Sequence, residues 1–309
     1  PDQTLTIHGG AFQPPDAPLN LANAGTGLRL LAGIIAGQRF PCTLDGSDQL
    51  RRRPMRRITD PLRLMGAQVQ DTDGKPPLHF TPAQLSGITY ELPIASAQVK
   101  SALLLAGLFA DGPTTLVQPG PARDHTERML QAMGAELDIN GSSVTLFPGL
   151  PLTALDMTIP GDFSSAAFIL LAGSIIPDSA VTLTNVGINP TRTGFLDVLQ
   201  AMGAQISVVE TGTSGGDPIA QIMVQSAPLG KAEVSGETVV RMIDEFPALM
   251  VAALCATGTT RVRDAAELRV KETDRIAIMA AETVALDFMQ PALVLVVEKF
   301  WLIYFQNHR

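Results

Sequence analysis

Apolar positions along this chain recur at the spacing of a helix face, then switch to the alternation of a strand, and do so repeatedly. Ile58/Leu62/Met65, Met129/Leu130/Met133 and Leu196/Leu199/Met202 each mark the apolar face of a short helix. Each run closes on Met-Gly-Ala, and the glycines Gly66, Gly134 and Gly203 are 68 and 69 residues apart. A glycine just past a helix adopts the left-handed conformation without a Cβ penalty, so each is predicted to stop its helix. The next residues alternate as a strand does, in Gln68-Val69-Gln70 and Glu136-Leu137-Asp138-Ile139.

A second series interleaves with the first. Leu31-Ala32-Gly33, Leu105-Ala106-Gly107 and Leu171-Ala172-Gly173, with the related Met250–Leu254, each close a more uniformly apolar helix. A turn and a β-rich run come next, as in Gly112-Pro113-Thr114-Thr115-Leu116-Val117. Repetition at a fixed period marks a supersecondary unit used several times. The unit is predicted to read strand–helix–strand–strand–helix–strand over about 70 residues, giving an α/β protein whose sheets are covered by these helices.

Composition narrows the function classes. The chain has 309 residues, 46% hydrophobic and 17% charged, which excludes disorder and allows two domains with their own cores. The uncharged, largely apolar stretch Phe163–Pro177 is interrupted by serines and a glycine and is shorter than the roughly 20 apolar residues of a bilayer span. No secretory leader pattern opens the sequence, and Cys42 and Cys255 read as free thiols of a reducing compartment, so a cytoplasmic protein is expected. A net charge of −8 argues against general nucleic-acid binding. Five of the 22 Lys and Arg nevertheless fall within Arg51–Arg57, either as a solvated basic face or as a holder of a small anion.

The helix starts carry the candidate chemistry. Asn23-Ala24-Gly25-Thr26, Ala95-Ser96-Ala97-Gln98, Gly161-Asp162-Phe163-Ser164-Ser165 and Asp244-Glu245-Phe246-Pro247 each open an apolar helix. Such starts are ordinary capping sequences, and they are also ready anion sites, because their N–H groups lack intrahelical partners. Gly25-Thr26-Gly27 favours the second role, since two glycines weaken a helix start but let a ligand approach the backbone. Glu267–Arg275 mixes three cations with three carboxylates, as a solvated helix start or as a site; Arg123 with Asp124–Arg128 has the same character. The four histidines have no metal-ligand spacing, and neither a phosphate loop nor a dinucleotide fingerprint is present.

Together these segments resemble the 5-enolpyruvylshikimate-3-phosphate synthase family, the bacterial glyphosate target. The matching runs are Leu21–Arg29, Leu44–Met55, Ala95–Gly107, Ala122–Leu130, Ile159–Ser165, Asp244–Ala253 and Arg269–Ala277, in order over about residues 1–282. Arg-Val-Lys-Glu-Thr-Asp-Arg together with Asn-Ala-Gly-Thr is highly specific. The Ser-Ala-Gln-Val-Lys-Ser and Arg-Asp-His-Thr-Glu forms look like the branch that includes glyphosate-tolerant members.

The resemblance implies a two-domain enolpyruvyl transferase fold of repeated βαββαβ units. The first (lower) domain would be 1–160 and the second (upper) 161–282, followed by a divergent tail at 283–309. It implies transfer of the enolpyruvyl group of phosphoenolpyruvate to the 5-hydroxyl of shikimate-3-phosphate, with no cofactor and no metal, in a protein that is a monomer when complete. Shikimate-3-phosphate would be held by Ser96, Ala97 through its backbone, Gln98, Arg123, Asp244 and Lys271. Phosphoenolpyruvate would meet Asn23, Gly25, Thr26, Arg53, Gln98, Glu272 and Arg275, with Arg29 shaping the loop. Asp244 is the expected hydroxyl base and Glu272 the expected methylene acid. Lys271 and Arg275 beside Glu272 would favour its ionised form and so oppose that acid role.

The pattern also departs from the family. Its upstream Lys-Ser…Arg loop and its later phosphoenolpyruvate-binding Arg and Lys are not matched, and Thr283–Phe288 replaces an expected Leu-Gly-Ala-Glu. Residues 288–309 hold five of the 15 aromatics. Both domains are therefore expected to be incomplete and the chain itself inactive. Two alternatives stand: an anion-binding remnant without turnover, and the related enolpyruvyl transferase acting on a UDP-sugar, which would need a loop cysteine that neither Cys42 nor Cys255 resembles.

Overall fold

The computed structural model describes residues 4–269, 274–285, 294–297 and 300–301. The chain divides into two compact units, Pro1–Asp156 and Met157–Arg309.

The first unit is built from two copies of one motif. The first copy runs β1 (Leu19–Asn20), α1 (Gly25–Ala36), β2 (Cys42–Asp45), α2 (Asp48–Arg51), α3 (Arg56–Leu64), β3 (Gln68–Thr72) and β4 (Lys75–Thr81). The second runs β5 (Thr89–Glu91), α4 (Ala97–Gly107), β6 (Thr114–Val117), α5 (His125–Ala132), β7 (Glu136–Asn140) and β8 (Ser143–Phe147). The sheets have orders β1-β2-β4-β3 and β5-β6-β8-β7, with the same directions. In each, the first pair is parallel, as in Leu19↔Leu44 and Thr89↔Thr115, and the remaining pairs are antiparallel. One continuous core, including Leu28, Leu44, Leu62, Leu78, Leu104, Leu116 and Leu146, spans both copies.

The second unit follows the same plan. Its first copy comprises α6 (Phe163–Ile175), β9 (Ala180–Gly187), α7 (Gly194–Ala201), β10 (Gln205–Ser214) and β11 (Asp217–Gln225). A parallel bridge, Gly161↔Val186, stands where the first strand would be. The next copy comprises β12 (Glu233–Val234), α8 (Glu237–Arg241), α9 (Phe246–Cys255), β13 (Arg261–Val262), a 3₁₀ turn at Ala266–Arg269, α10 (Arg275–Ala285), β14 (Val294–Val297) and β15 (Phe300–Trp301). Here the chain departs from the other copies: β13 pairs in parallel with β14, where the equivalent partner elsewhere is antiparallel.

The Met-Gly-Ala stops work alike in all three places. Gly66, Gly134 and Gly203 have φ of 96°, 88° and 100°. The alanine N–H that comes next reaches back to Leu62, Leu130 and Leu199 at 3.0, 2.8 and 3.0 Å, the six-to-one bond of a Schellman motif. Each preceding methionine carbonyl then accepts from the incoming chain, from Ser86, Thr153 and Gly230 at 2.8, 2.7 and 2.7 Å.

Within each copy the element order is βαβαββ rather than the predicted βαββαβ. The two strands after each Met-Gly-Ala helix form a hairpin, turned at Asp73-Gly74 and Gly215-Gly216 on positive φ. The strand before each apolar helix is only two or three residues long, or a single bridge. So short a parallel strand has no room to show alternation.

Glycine in the apolar helices serves close packing. α1 and α4 run in the same direction, and a Cβ built on Gly33 would lie 2.0 Å from the Ala102 carbonyl oxygen. Further along, a Cβ on Gly37 would lie 2.4 Å from that of Phe109. The helix axes can therefore approach only because side chains are missing there. Gly33→Ala is expected to lower stability by about 1–3 kcal/mol despite its gain in helix propensity, because the obstructing atom is backbone and cannot rotate away. Gly112→Ala, where nothing lies within 4 Å, is the control in urea unfolding. Equal midpoints for the two variants would contradict this packing.

Two carboxylates tie loops to this frame. Asp45 accepts from Arg51 Nε and Nη2 at 2.8 and 2.6 Å, and the Arg51 hydrogen bond holds its pKa below the usual carboxylate range. Burial pushes Asp71 upward, but hydrogen bonds from Arg63 and the Gly74 N–H outweigh it and leave its pKa lowered too. A depressed folded pKa contributes stability that is complete above the unfolded value of about 3.9 and is lost as pH falls through the folded value. Acid unfolding of Asp45→Asn/Asp71→Asn is accordingly expected to depend less on pH below about 4 than that of the unsubstituted chain. Superimposable acid profiles would contradict it.

Candidate active site

In the first unit, the starts of α1 and α4 are drawn together by the close packing at Gly33. Neither start has a side-chain cap: Ala24 cannot supply one, and the Ser96 side chain makes no capping bond. Both helices thus present N-terminal N–H groups and the positive ends of their dipoles without an internal carboxylate.

Side chains join the two starts directly. Gln98 Nε2 donates to Thr26 Oγ1 at 2.7 Å, and Arg29 Nη1 donates to Gln98 Oε1 at 2.6 Å. Gly25 is the first residue of α1, and a Cβ there would lie 2.8 Å from Arg53 Nη1 and 3.7 Å from Arg29 Nη1. Two guanidinium groups therefore lean over a bare backbone position. Asn23 accepts a hydrogen bond from the Ser47 hydroxyl, and Ser47 N–H donates to Ala22 carbonyl oxygen at 2.9 Å. Those bonds, with Asp45–Arg51, anchor the turn that carries Arg53. Asn23, Gly25, Thr26, Arg29, Arg53 and Gln98 form one neighbourhood, with Ser96 and Ala97 at the same helix start as Gln98.

Arg123 lies two residues before α5, whose first turn is pinned to α4. Lys100 and Glu127 form a buried ion pair, and Ser101 and Thr126 share a hydroxyl hydrogen bond of 2.7 Å. The sequence reading missed Lys100 and Glu127. Their signal was present, a lysine inside an otherwise apolar helix, which must be paired to be tolerated there.

In the second unit, Asp244 stands just before α9 and pairs with Arg275, the first residue of α10, at 3.2 Å. Arg275 also donates to the Ile243 carbonyl oxygen at 3.1 Å, so it grips both the carboxylate and the backbone beside it. Arg269 and Asp274 pair at 3.0 Å, and the Ala277 backbone N–H leads the contacts that lower the Asp274 pKa. Lys271 and Glu272 lie outside the described residues.

The residue after Asp244 is the larger surprise. Glu245 is 1% exposed, accepts from the Ser164 hydroxyl, and lies 3.7 Å from Arg192 Nη2. Arg192 also donates to Ser164 and lies 3.6 Å from Asp162, which caps α6 by accepting from Ser165 N–H at 2.8 Å. None of these was among the expected site residues, although Asp162, Ser164 and Glu245 stand at helix starts that the sequence marks.

Among the described residues no group of histidine, cysteine and carboxylate side chains could hold a metal ion, and no helix is long and apolar enough to cross a membrane. Burial raises the thiol pKa of both free cysteines, Cys42 within β2 and Cys255 at the end of α9.

The chain is similar to known proteins over most of its length. The profile of the family EPSP synthase (3-phosphoshikimate 1-carboxyvinyltransferase) matches residues 1–287. The 3-phosphoshikimate 1-carboxyvinyltransferase of Acidithiobacillus ferrooxidans (strain ATCC 53993 / BNL-5-31) is 52% identical over 279 residues, which are 89% of this chain and 64% of that protein. That of Xanthomonas campestris pv. campestris (strain B100) is 53% identical over the same length and shares. A solved EPSP synthase from Acinetobacter baumannii has a TM-score of 0.80 at 48% identity, covering 86% of this chain and 61% of that one. The enolpyruvyl transferase NikO from Streptomyces tendae, at 15% identity and TM-score 0.55 over 79% of this chain and 73% of its own, shares the fold alone. The chain thus spans just under two thirds of the length of these curated relatives. By profile, identity and fold alike, it belongs to the EPSP synthase family.

Proposed function

We propose that this chain carries substrate-binding and proton-transfer groups of an enzyme that transfers the enolpyruvyl group of phosphoenolpyruvate to the 5-hydroxyl of shikimate-3-phosphate. The observation that supports it best is the neighbourhood of Gly25, Arg29, Arg53, Thr26 and Gln98 at two uncapped helix starts. Two anionic substrates need several positive groups at short range, and guanidinium groups with helix N-termini supply them with defined geometry.

In this reading Ser96, the Ala97 backbone, Gln98, Arg123, Asp244 and Lys271 hold shikimate-3-phosphate. Asn23, Gly25, Thr26, Arg53, Gln98, Glu272 and Arg275 attend phosphoenolpyruvate. The 5-hydroxyl loses its proton to Asp244 as its oxygen bonds to the enol carbon, while the methylene carbon takes a proton from Glu272. Loss of phosphate from the resulting tetrahedral ketal, with return of a proton from the new methyl group, restores the enol ether. Two separate acid–base groups are required because the two protons move at different atoms. Arg275, at 3.2 Å, fixes the orientation of the Asp244 carboxylate.

A cytoplasmic monomer acting on these small molecules alone fits the reading. The UDP-sugar alternative is less well supported: it calls for a cysteine in a loop, and Cys42 sits in β2 while Cys255 closes α9.

Calorimetric titration with shikimate-3-phosphate tests the binding half. Saturable heat is expected, and Arg123→Ala should weaken binding by about 1.5–3 kcal/mol, the range for a hydrogen bond to a charged group. A folded protein that gives no heat would contradict the proposal. The second expectation concerns Gly25→Ala, whose methyl group would displace Arg53 from 2.8 Å. It should weaken binding of phosphoenolpyruvate, and of glyphosate more so, with little effect on shikimate-3-phosphate. Undiminished glyphosate binding would refute the placement of Gly25.

A further inference from the structure

The two units repeat not only their strands but also a connection between helix starts. Thr26 is the second residue of α1 and Ser164 the second residue of α6, and α1 and α6 open the first described copy in their respective units. Each hydroxyl bonds a side chain at the start of the next apolar helix: Thr26 to Gln98, the second residue of α4, and Ser164 to Glu245, the residue just before α9. The first copy of each unit also sends an arginine back from the loop before its Met-Gly-Ala helix. Arg53, before α3, reaches the first residue of α1, and Arg192, before α7, reaches the second residue of α6.

The units differ in one respect. In the first, the side chain from the second helix is a neutral amide, Gln98. In the second it is a carboxylate, Glu245, buried to 1% exposure beside Arg192 and Ser164. A carboxylate is the kind of group that paired helix starts and a guanidinium attract.

We propose that the second unit contains a self-occupied anion site, in which the Glu245 carboxylate, standing where the first unit has the neutral Gln98, supplies from within the chain the negative charge that the first unit takes from a ligand. Glu245 and Arg192 are then positioning residues: by locking the start of α9 onto α6, they hold the backbone of Asp244, which is adjacent in sequence and gripped on its other side by Arg275. The comparison with the first unit rests on the proposed function. The occupancy of the second-unit site does not.

The test uses the full chain, with sodium formate as a free carboxylate and sodium chloride at equal ionic strength as control. Glu245→Ala vacates the site while leaving Arg192 buried, so its thermal midpoint should fall. Formate should raise that midpoint well beyond any effect of chloride, and beyond its effect on the unsubstituted chain. Glu245→Ala/Arg192→Ala should lose the formate response. If Glu245→Ala unfolds in chloride, formate should restore folding.

A formate response that is absent, or that persists in the double variant, overturns self-occupation. Glu245→Gln preserves volume and the bond to Ser164 but cannot neutralise Arg192. It should fold, show no formate response, and bind shikimate-3-phosphate at least tenfold more weakly than the unsubstituted chain. Unchanged affinity in that variant overturns the positioning role. Failure of the unsubstituted chain to bind shikimate-3-phosphate would count against the proposed function, while the formate comparison would still decide whether the site is self-occupied.

Discussion

The approach of α1 to α4 at Gly33 is the contact on which the candidate site of the first unit depends. A carbonyl oxygen of Ala102 occupies the space a side chain at residue 33 would need. Two helices so close and pointing the same way must bring their N-termini together. Like partial charges then sit side by side, an arrangement that repels unless something negative or strongly polar lies between them. Gln98 offers its carbonyl oxygen to Arg29 and its amide to Thr26, which orders the starts without cancelling their positive character. Packing deep in the helices thus creates an electrostatic demand at their ends, and that demand suits an anionic ligand.

The second unit meets the same demand differently. Asp162 caps α6, and Glu245 lies buried against Ser164 and Arg192, so its helix starts have carboxylates built in. Internal pairing of this kind is costly to desolvate and strongly destabilising to break. It makes a rigid base for Asp244, the neighbouring residue. The first unit gathers positive groups over a glycine, and the second neutralises its own and sets the half-buried Asp244–Arg275 pair beside them.

Much of this was legible in the sequence because it rests on local rules. Met-Gly-Ala stops its helices through a left-handed glycine, and the apolar helices open at Gly25, Ala97, Phe163 and Phe246, within the four starts that the sequence marks. The order of strands within a repeat was less legible. β1, β5 and β12 are too short to alternate, and their pairing is set by distant partners. Arg192 escaped notice for a related reason. Nothing local distinguishes Arg192 in Pro190-Thr191-Arg192-Thr193 from a surface arginine. Only superposing the repeats on the Met-Gly-Ala glycines sets it level with Arg123, each 11 residues before its glycine. Lys100 was visible as a charge in an apolar helix, but its partner Glu127 lies in another helix and had no pattern to announce it.

The claim that paired helix starts form the anion site is most directly tested by backbone amide NMR during titration with shikimate-3-phosphate. The account predicts that the largest, saturable shifts occur at the α4 start, Ser96–Gln98, and at Arg123, with the buried amides around Gly33 unmoved. Shifts confined to the exposed arginines of residues 51–57, without change at Ser96–Gln98, would contradict it and leave that basic run as a nonspecific surface for anions.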